Sequence, residues 1–191
     1  MTAYRNAPLQ LTVMSNVQLP HRSRRSIRLR GYDYSAEGAY FITICTAEKQ
    51  GLFGAFQSRN LHLSEHGLVV RDEWARTPSI RPNVRLDSFV VMPDHFHAIL
   101  FIMDCGRGVL QYAPTTTIHL ASPSQTLGAI VRGFKGATTK RINVVRGTPG
   151  AKVWQRNYYE HVIRNEHDLH ETRQYIDTNP MALTLKAEAA I

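Results

Sequence analysis

The chain has 191 residues, which is enough for one domain with a sizeable core. Hydrophobic residues make up 43% of it, which excludes a disordered chain, and no apolar run reaches membrane-spanning length. Lysine and arginine number 23 against 15 aspartate and glutamate, a net charge of +8 that favours a polyanionic partner, nucleic acid first.

Cysteine usage points to a reducing compartment. Cys45 and Cys105 lie in separate apolar runs, which is typical of buried thiols and not of a disulfide framework or a zinc site. The N-terminus lacks the pattern of a signal peptide, so we expect a cytoplasmic protein that does not enter the membrane.

Arginines crowd the end of residues 1–30, a polar and irregular segment that we predict to be a flexible arm. They are Arg22, Arg24, Arg25, Arg28 and Arg30. Tyr32 and Tyr34 follow, and guanidinium groups beside aromatic rings suit phosphate contact with base stacking. The alternative is a solvated arm with no specific role, and the overall charge favours nucleic acid.

The next elements alternate between strands and a helix. Residues 39–46, rich in aromatic and β-branched side chains, predict a strand. An irregular hairpin is expected over residues 52–63. A helix is expected over residues 65–77, with Ser64 as its cap and with Pro78 and Pro82 ending it.

The stretch LDSFVVMPDHFHAILFIM, residues 86–103, predicts two strands joined by a tight turn at Pro93 and Asp94. His95 and His97 lie in the second strand, so their side chains project from one face, roughly 7 Å apart at Cα. Two neutral imidazoles on one rigid face could chelate a divalent metal. The alternative is a histidine pair on the polar face of a sheet.

After a loop over residues 106–123, which could contact DNA, a long helix is expected from Ser124 or Thr126 to about Val145. One of its faces is apolar and the other is basic. The basic residues are Arg132, Lys135, Lys140 and Arg141. An extended segment is expected over residues 153–162.

The last predicted helix begins near Asn165, which can cap it, and ends at Thr178 because Pro180 disfavours helix before it. Tyr175 and Asn179 are four residues apart and therefore share one face of its last turn. Residues 181–191 are expected to form a short tail.

The predicted order is strand, helix, strand, strand, helix, strand, followed by the C-terminal helix. It indicates a single α+β domain over residues 31–180, a ferredoxin-like antiparallel sheet with two helices on one face. The other face stays open, and the two histidines point either to that open face or toward the last helix.

MPDHFHAIL resembles the His-hydrophobic-His signature of HUH single-strand nucleases, and YIDTN resembles the tyrosine helix of single-tyrosine transposases. Together with RRSIRLRGYDYSAEGAYFITICT and VWQRNYYEHVIRNEHDL, they resemble the REP-associated tyrosine transposases, relatives of insertion-sequence transposases. The resemblance covers about residues 24–180.

The resemblance implies that His95 and His97 are metal ligands, that Tyr175 is the nucleophile, and that Asn179 stands where relatives carry an amide ligand. It also implies manganese or magnesium, cleavage of single-stranded DNA beside an imperfect-palindrome hairpin, and a 5′-phosphotyrosine intermediate. Manganese, which tolerates both nitrogen and oxygen ligands, is the first expectation in vitro.

Other functions remain open. The sheet could bind single-stranded nucleic acid without catalysis, or the chain could be a small HUH replication initiator. In every case we expect a monomer or a homodimer. Tyr158 and Tyr159 are rival nucleophiles. We favour Tyr175 because a helix places it beside Asn179, whereas the rivals lie in a segment predicted to be extended.

Overall fold

The computed structural model describes residues 31–58, 60–103 and 125–188, of which residues 181–188 are described as backbone. The predicted arginine arm with Arg22 to Arg30, the thiol of Cys105, the loop over residues 106–123 and the alternative cap Ser124 lie outside the described residues. In the described part of the chain, no helix is both long and apolar enough to span a bilayer.

The main sheet has four strands: β1 (Gly38–Cys45), β4 (Val84–Val91), β5 (His95–Ile102) and β6 (Tyr159–Ile163). Their spatial order is β4-β5-β1-β6, and every pair of neighbours is antiparallel. The first strand in sequence thus lies at the centre beside β5. This order confirms the predicted ferredoxin-like sheet.

The segment between β1 and β4 holds the predicted hairpin, β2 (Gly54–Gln57) and β3 (Asn60–Leu63), and two helices. The first, α1 (Glu65–Ala75), begins at Ser64, whose side chain accepts a hydrogen bond from the backbone of Gly67 at 3.2 Å. This helix ends ahead of Pro78 as expected, at Ala75 and not at Thr77. Pro78 lies in the first turn of a second helix, α2 (Thr77–Ile80), where a missing N–H costs nothing.

The long helix α3 (Leu127–Val145) follows the predicted pattern. Thr126 is its cap, because its hydroxyl accepts a hydrogen bond from the backbone of Ala129 at 3.2 Å. Strand β6 is shorter than the predicted extended segment, since before it only Trp154 forms a bridge, to Thr46.

Alternation along the central strands sends side chains into two separate cores. One face of the sheet packs against α1 and α3 and holds the large aromatic side chains of the first core. Its fully buried members include Tyr40, Ile42, Trp74, Phe96 and Leu100. The opposite face forms a second, smaller core with the C-terminal helix.

That helix, α4 (Glu166–Glu188), buries Leu169 and Ile176 against the second face. Asn165 caps it by accepting a hydrogen bond from the backbone of Asp168 at 2.9 Å. The expected end before Pro180 is wrong, because the helix continues through the proline. A proline costs about 3 kcal/mol in a helix interior, and the bias against helix at the preceding residue is only a tendency, which the flanking turns override here.

Candidate nucleophile and metal site

The turn before β5 is held in place by neighbouring segments. The carbonyl of Pro93 accepts a hydrogen bond from the backbone of Phe53 at 2.9 Å. The carbonyl of Asp94 accepts one from the backbone of Thr46, also at 2.9 Å. The start of β5 is therefore fixed from two sides, and with it the backbone of His95.

His95 and His97 project from the same face of β5, toward the face covered by α4. Their ring centroids lie 4.6 Å apart, with the ring planes at 72°. His97 also stacks on Phe41 of β1, with centroids 5.4 Å apart. Of the two directions left open by the sequence, the structure takes the one toward the last helix.

Each imidazole has its Nδ1 engaged by a different partner. The Nδ1 of His95 lies 2.5 Å from a carboxylate oxygen of Asp94, and the Nδ1 of His97 lies 2.8 Å from the hydroxyl of Thr43. Because a carboxylate only accepts, the Nδ1 of His95 donates to Asp94, and in the neutral imidazole this tautomer leaves the lone pair on Nε2. When the Thr43 hydroxyl accepts a hydrogen bond from the Nδ1 of His97, the lone pair of this imidazole is likewise on Nε2.

The Nε2 of His97 is buried and has no hydrogen-bond partner among the described residues. His97 is only 4% exposed, so water does not readily satisfy this nitrogen. Burial and, to a smaller extent, the charge of His95 lower the pKa of His97 to about 3. The imidazole is therefore neutral at physiological pH, as a metal ligand must be.

Tyr175 approaches the histidines from α4. Its ring centroid lies 5.3 Å from that of His97 and 6.0 Å from that of Phe41, and the residue is 50% exposed. Burial raises the pKa of the Tyr175 phenol, a hydrogen bond with the Asn179 side chain lowers it, and Tyr159 raises it further. The net direction is upward, so the phenol is protonated at neutral pH.

Two polar contacts fix the part of α4 that precedes Tyr175. The Arg173 guanidinium donates two hydrogen bonds to the Asp87 carboxylate on β4, at 2.9 and 2.7 Å. His161 of β6 lies 3.0 Å from the carboxylate of Asp168 in the first turn of α4. Arg173 is the main reason that the pKa of Asp87 falls to about 2.

Asp87 is accessible to α4 because β4 is irregular at that point. The pairing of β4 with β5 shifts register between Leu86 and Phe89, and the backbone of Ser88 donates a 2.7 Å hydrogen bond to the Asp87 carboxylate. A bulge of this kind re-aims a side chain.

The two rival tyrosines differ in position. Tyr158 packs against the first core, on the far side of the sheet from the histidines. Tyr159 pairs with Thr43 in the β1–β6 register, is 41% exposed, and has its ring centroid 6.4 Å from that of Phe41. Tyr159 therefore shares the face of His97, and only it remains a structural rival to Tyr175.

The structure does not bring the basic residues of α3 to this face, because α3 packs on the opposite side of the sheet. Arg141 forms an ion pair with the buried Glu73 at 2.6 Å, and the Lys135 ammonium donates a 2.5 Å hydrogen bond to the carbonyl of Gln155. Lys140 and Arg132 are exposed. DNA contact by these four residues stays a prediction.

Tyr32 and Tyr34, predicted to stack on bases, pack against the first core. Their ring centroids lie 4.9 Å apart, and each contacts the buried Tyr40 ring, at 6.4 and 6.3 Å.

Cys45 has a free and partly buried thiol, whose pKa is raised mainly by burial.

Comparison with solved structures identifies the fold. No family model matches the chain. A solved structure of a REP-associated tyrosine transposase bound to a REP hairpin covers 83% of this chain and 74% of its own, with 19% identity and a TM-score of 0.50. The fold is thus that of the REP-associated tyrosine transposase, in agreement with the resemblance in the sequence motifs. A second structure, a proposed transposase of Deinococcus radiodurans, covers 79% of this chain and 95% of its own, with 20% identity and a TM-score of 0.42.

The sequence relationship is closer to a protein of Haemophilus influenzae that is described as an uncharacterized protein. The two are 39% identical over 174 residues, which span 90% of this chain and 94% of the relative. The chain belongs to the same family as this Haemophilus influenzae protein.

Proposed function

We propose that the chain is a DNA nicking and joining enzyme that acts on single-stranded, hairpin-forming repeat DNA through a covalent 5′-phosphotyrosine at Tyr175. The observation that carries this proposal is the meeting of two sequence-distant motifs. The ring of Tyr175 from α4 lies 5.3 Å from the ring of His97 from β5, on the half-open face of the sheet. The solved structure with this fold is bound to a REP hairpin, which supports hairpin DNA as the partner here.

In the proposed reaction, the phenol oxygen of Tyr175 attacks phosphorus and the bond from phosphorus to the 3′-oxygen breaks. The phenol loses its proton to solvent, and the leaving 3′-oxygen takes a proton to become a hydroxyl. The DNA 5′ end stays on Tyr175 as a phosphodiester. A 3′-hydroxyl can reverse the step by attacking the same phosphorus, so rejoining needs no ATP.

A phenol with a raised pKa needs help to act as a nucleophile. Asn179 supplies part of it, because its hydrogen bond to Tyr175 favours the ionised phenol. The same amide has an oxygen that can bind a cation while its NH2 group donates to the phenol oxygen. Asn179 could therefore act on the nucleophile and on a metal at once.

The residues fit the metal that the resemblance implies. His95, His97 and Asn179 would hold it, and the partnerless Nε2 of His97 is the atom that such an ion would satisfy. Within the described residues, no group of three or more His, Cys, Asp or Glu side chains could hold a metal. Two imidazoles and an amide oxygen match manganese, or magnesium as a second choice. A bound divalent ion would polarise the phosphoryl oxygens and stabilise developing charge.

A denaturing gel with labelled hairpin DNA tests the proposal, because a covalent adduct migrates with the protein. Wild-type protein with manganese should form the adduct, and Tyr175→Phe should bind the DNA without forming it. Tyr159→Phe is the matched control, since it removes the same hydroxyl from a neighbouring ring on the same face, and it should retain the adduct.

Two results would contradict the assignment. If Tyr175→Phe formed the adduct and Tyr159→Phe did not, the nucleophile would be Tyr159 of β6. Binding without any wild-type adduct, across several hairpins and with either metal, would identify a non-catalytic binding module.

A further inference from the structure

A basic groove lies behind the sheet, between α3 and the segment over residues 150–156. Its volume is about 580 Å³. Four of its lining residues are cationic and none is acidic: Lys135, Lys140, Lys152 and Arg156. The neighbouring groove between α1 and α3 differs, because its lining includes the carboxylates of Glu65, Asp72 and Glu73.

Polar side chains of α3 hold the backbone of this segment. Lys135 donates to the carbonyls of Gln155 and Arg156 at 2.5 and 3.2 Å. The Asn143 amide donates to the carbonyl of Ala151 at 2.9 Å. Because these carbonyls are bonded to α3, the wall of the groove is formed in advance and its shape does not depend on a ligand.

The remaining cations of the groove are available to a partner. Lys140, Lys152 and Arg156 are exposed, and within the described residues none of them forms an ion pair. Elsewhere arginines are paired, such as Arg71 with Asp72 at 3.1 Å and Arg173 with Asp87 at 2.7 Å. Unpaired cations around a groove without carboxylates favour an extended anion, such as a phosphodiester backbone.

The wall of the groove continues the sheet at the end where the histidines lie. The backbone of Gln155 donates a 2.9 Å hydrogen bond to the carbonyl of Cys45, and Cys45 is the register partner of His95. Two strand spacings of about 4.8 Å separate His95 from Gln155, roughly 10 Å in all. Arg156 comes three residues before Tyr159, whose side chain lies on the histidine face.

We propose that this groove binds the sugar-phosphate backbone of single-stranded DNA that flanks the cleavage site. The strand would leave the histidine face past Tyr159 and run behind the sheet along Lys152, Arg156 and Lys140. This inference rests on the proposed function. It also assigns two roles to the basic residues predicted on one face of α3: Lys140 contacts DNA, whereas Lys135 and Arg141 support the structure.

The salt dependence of binding tests the groove, because phosphate contacts are independent of sequence. The probe is a labelled oligothymidylate of about 20 nucleotides, longer than the roughly 4–16 nucleotides that a single-strand-binding OB fold covers. Each lost contact should reduce the slope of log affinity against log salt by about 0.7. The double variant Lys152→Gln/Arg156→Gln should therefore lose about 1.4 from the slope and bind more weakly.

Arg71→Glu is the matched control. It also changes the net charge by two, but on the outer surface of α1, so it should leave the slope nearly unchanged. Melting temperatures of both variants confirm that they are folded. The proposed DNA-binding role of the groove would be wrong if the double variant had the same slope as the wild type. It would also be wrong if Arg71→Glu reduced the slope as much as the double variant does.

The covalent adduct separates this inference from the proposed function. The adduct is measured on the wild type with hairpin DNA and manganese, whereas the slope compares the double variant with the wild type on oligothymidylate. An adduct with an unchanged slope would refute the groove alone. A reduced slope without any wild-type adduct would refute the enzyme and retain a DNA-binding surface.

Discussion

The two faces of the sheet are built by opposite means. The face under α1 and α3 is closed by aromatic and aliphatic packing, with Phe96 in contact with Trp74 and Phe134 at centroid distances of 5.1 and 5.2 Å. The face under α4 has a small core, an ion pair to Asp87 and a buried histidine whose Nε2 has no partner in the described part of the chain. The first face stabilises the fold, whereas the second leaves a polar nitrogen buried and a tyrosine half-exposed, an arrangement that costs stability and suits the proposed reaction.

Truncating the first core should have the largest effect. Phe96→Ala removes a fully buried ring between two other aromatic rings, and we expect the free energy of unfolding to fall by about 3–5 kcal/mol. Urea unfolding measures it. The comparison is Tyr175→Phe on the second face, which should change stability by far less. Similar losses in both variants would contradict the division of roles.

The hydroxyl of Thr43 should matter to the metal more than to the fold. Thr43→Val keeps the shape but removes the oxygen that lies 2.8 Å from the Nδ1 of His97, so the ring is no longer held. Loss of such a partner typically costs 10–100-fold in metal affinity, which titration calorimetry with manganese would measure without DNA. Thr43→Ser keeps the hydroxyl and should restore most of the affinity. Equal affinities in wild type and valine variant would show that Thr43 does not orient His97.

The ion pair between Arg173 and Asp87 should affect α4 locally. Asp87→Asn weakens a partly exposed pair, and we expect a loss of about 1 kcal/mol. Hydrogen exchange should accelerate in α4 while α1 and α3 keep their protection, because those helices pack on the other face. Uniform acceleration in all three helices would mean that α4 is part of the main cooperative unit.

The same pair gives the smallest effect, a dependence of stability on pH. Arg173 lowers the pKa of folded Asp87 to about 2, below the value of about 3.9 for an unfolded aspartate. The unfolded state therefore binds the proton first, and the stabilisation present above pH 4 is lost as pH falls toward 2. The stability difference between wild type and Asp87→Asn should shrink over that window. A constant difference down to pH 2 would argue against the ion pair as its cause.

Local patterns in the sequence predicted the parts of the site that depend on one element. Alternation placed His95 and His97 on one face, and helical spacing placed Tyr175 beside Asn179. Thr43 was missed because its contact with His97 depends on the register between two strands 54 positions apart. Asp94, next to His95 in the chain, was within reach of sequence reasoning, since a carboxylate beside a histidine is a common partner for it.

The basic face of α3 shows the limit of periodicity. Spacing correctly separated cations from apolar residues, but it could not show that Arg141 would pair with Glu73, or Lys135 with the carbonyl of Gln155. The predicted end of α4 at Thr178 was wrong for a related reason. Pro180 carries a local penalty, and the sequence does not show whether the turns around it outweigh that penalty.

The irregularity in β4 between Leu86 and Phe89 has a consequence for association between chains. Strand β4 is an edge of the sheet, and a regular edge offers free backbone groups to a strand of another molecule. A bulge there interrupts the ladder and places a charged residue, Asp87, in the middle of the strand. The feature that ties the tyrosine helix to the sheet therefore also protects this edge against strand addition and aggregation.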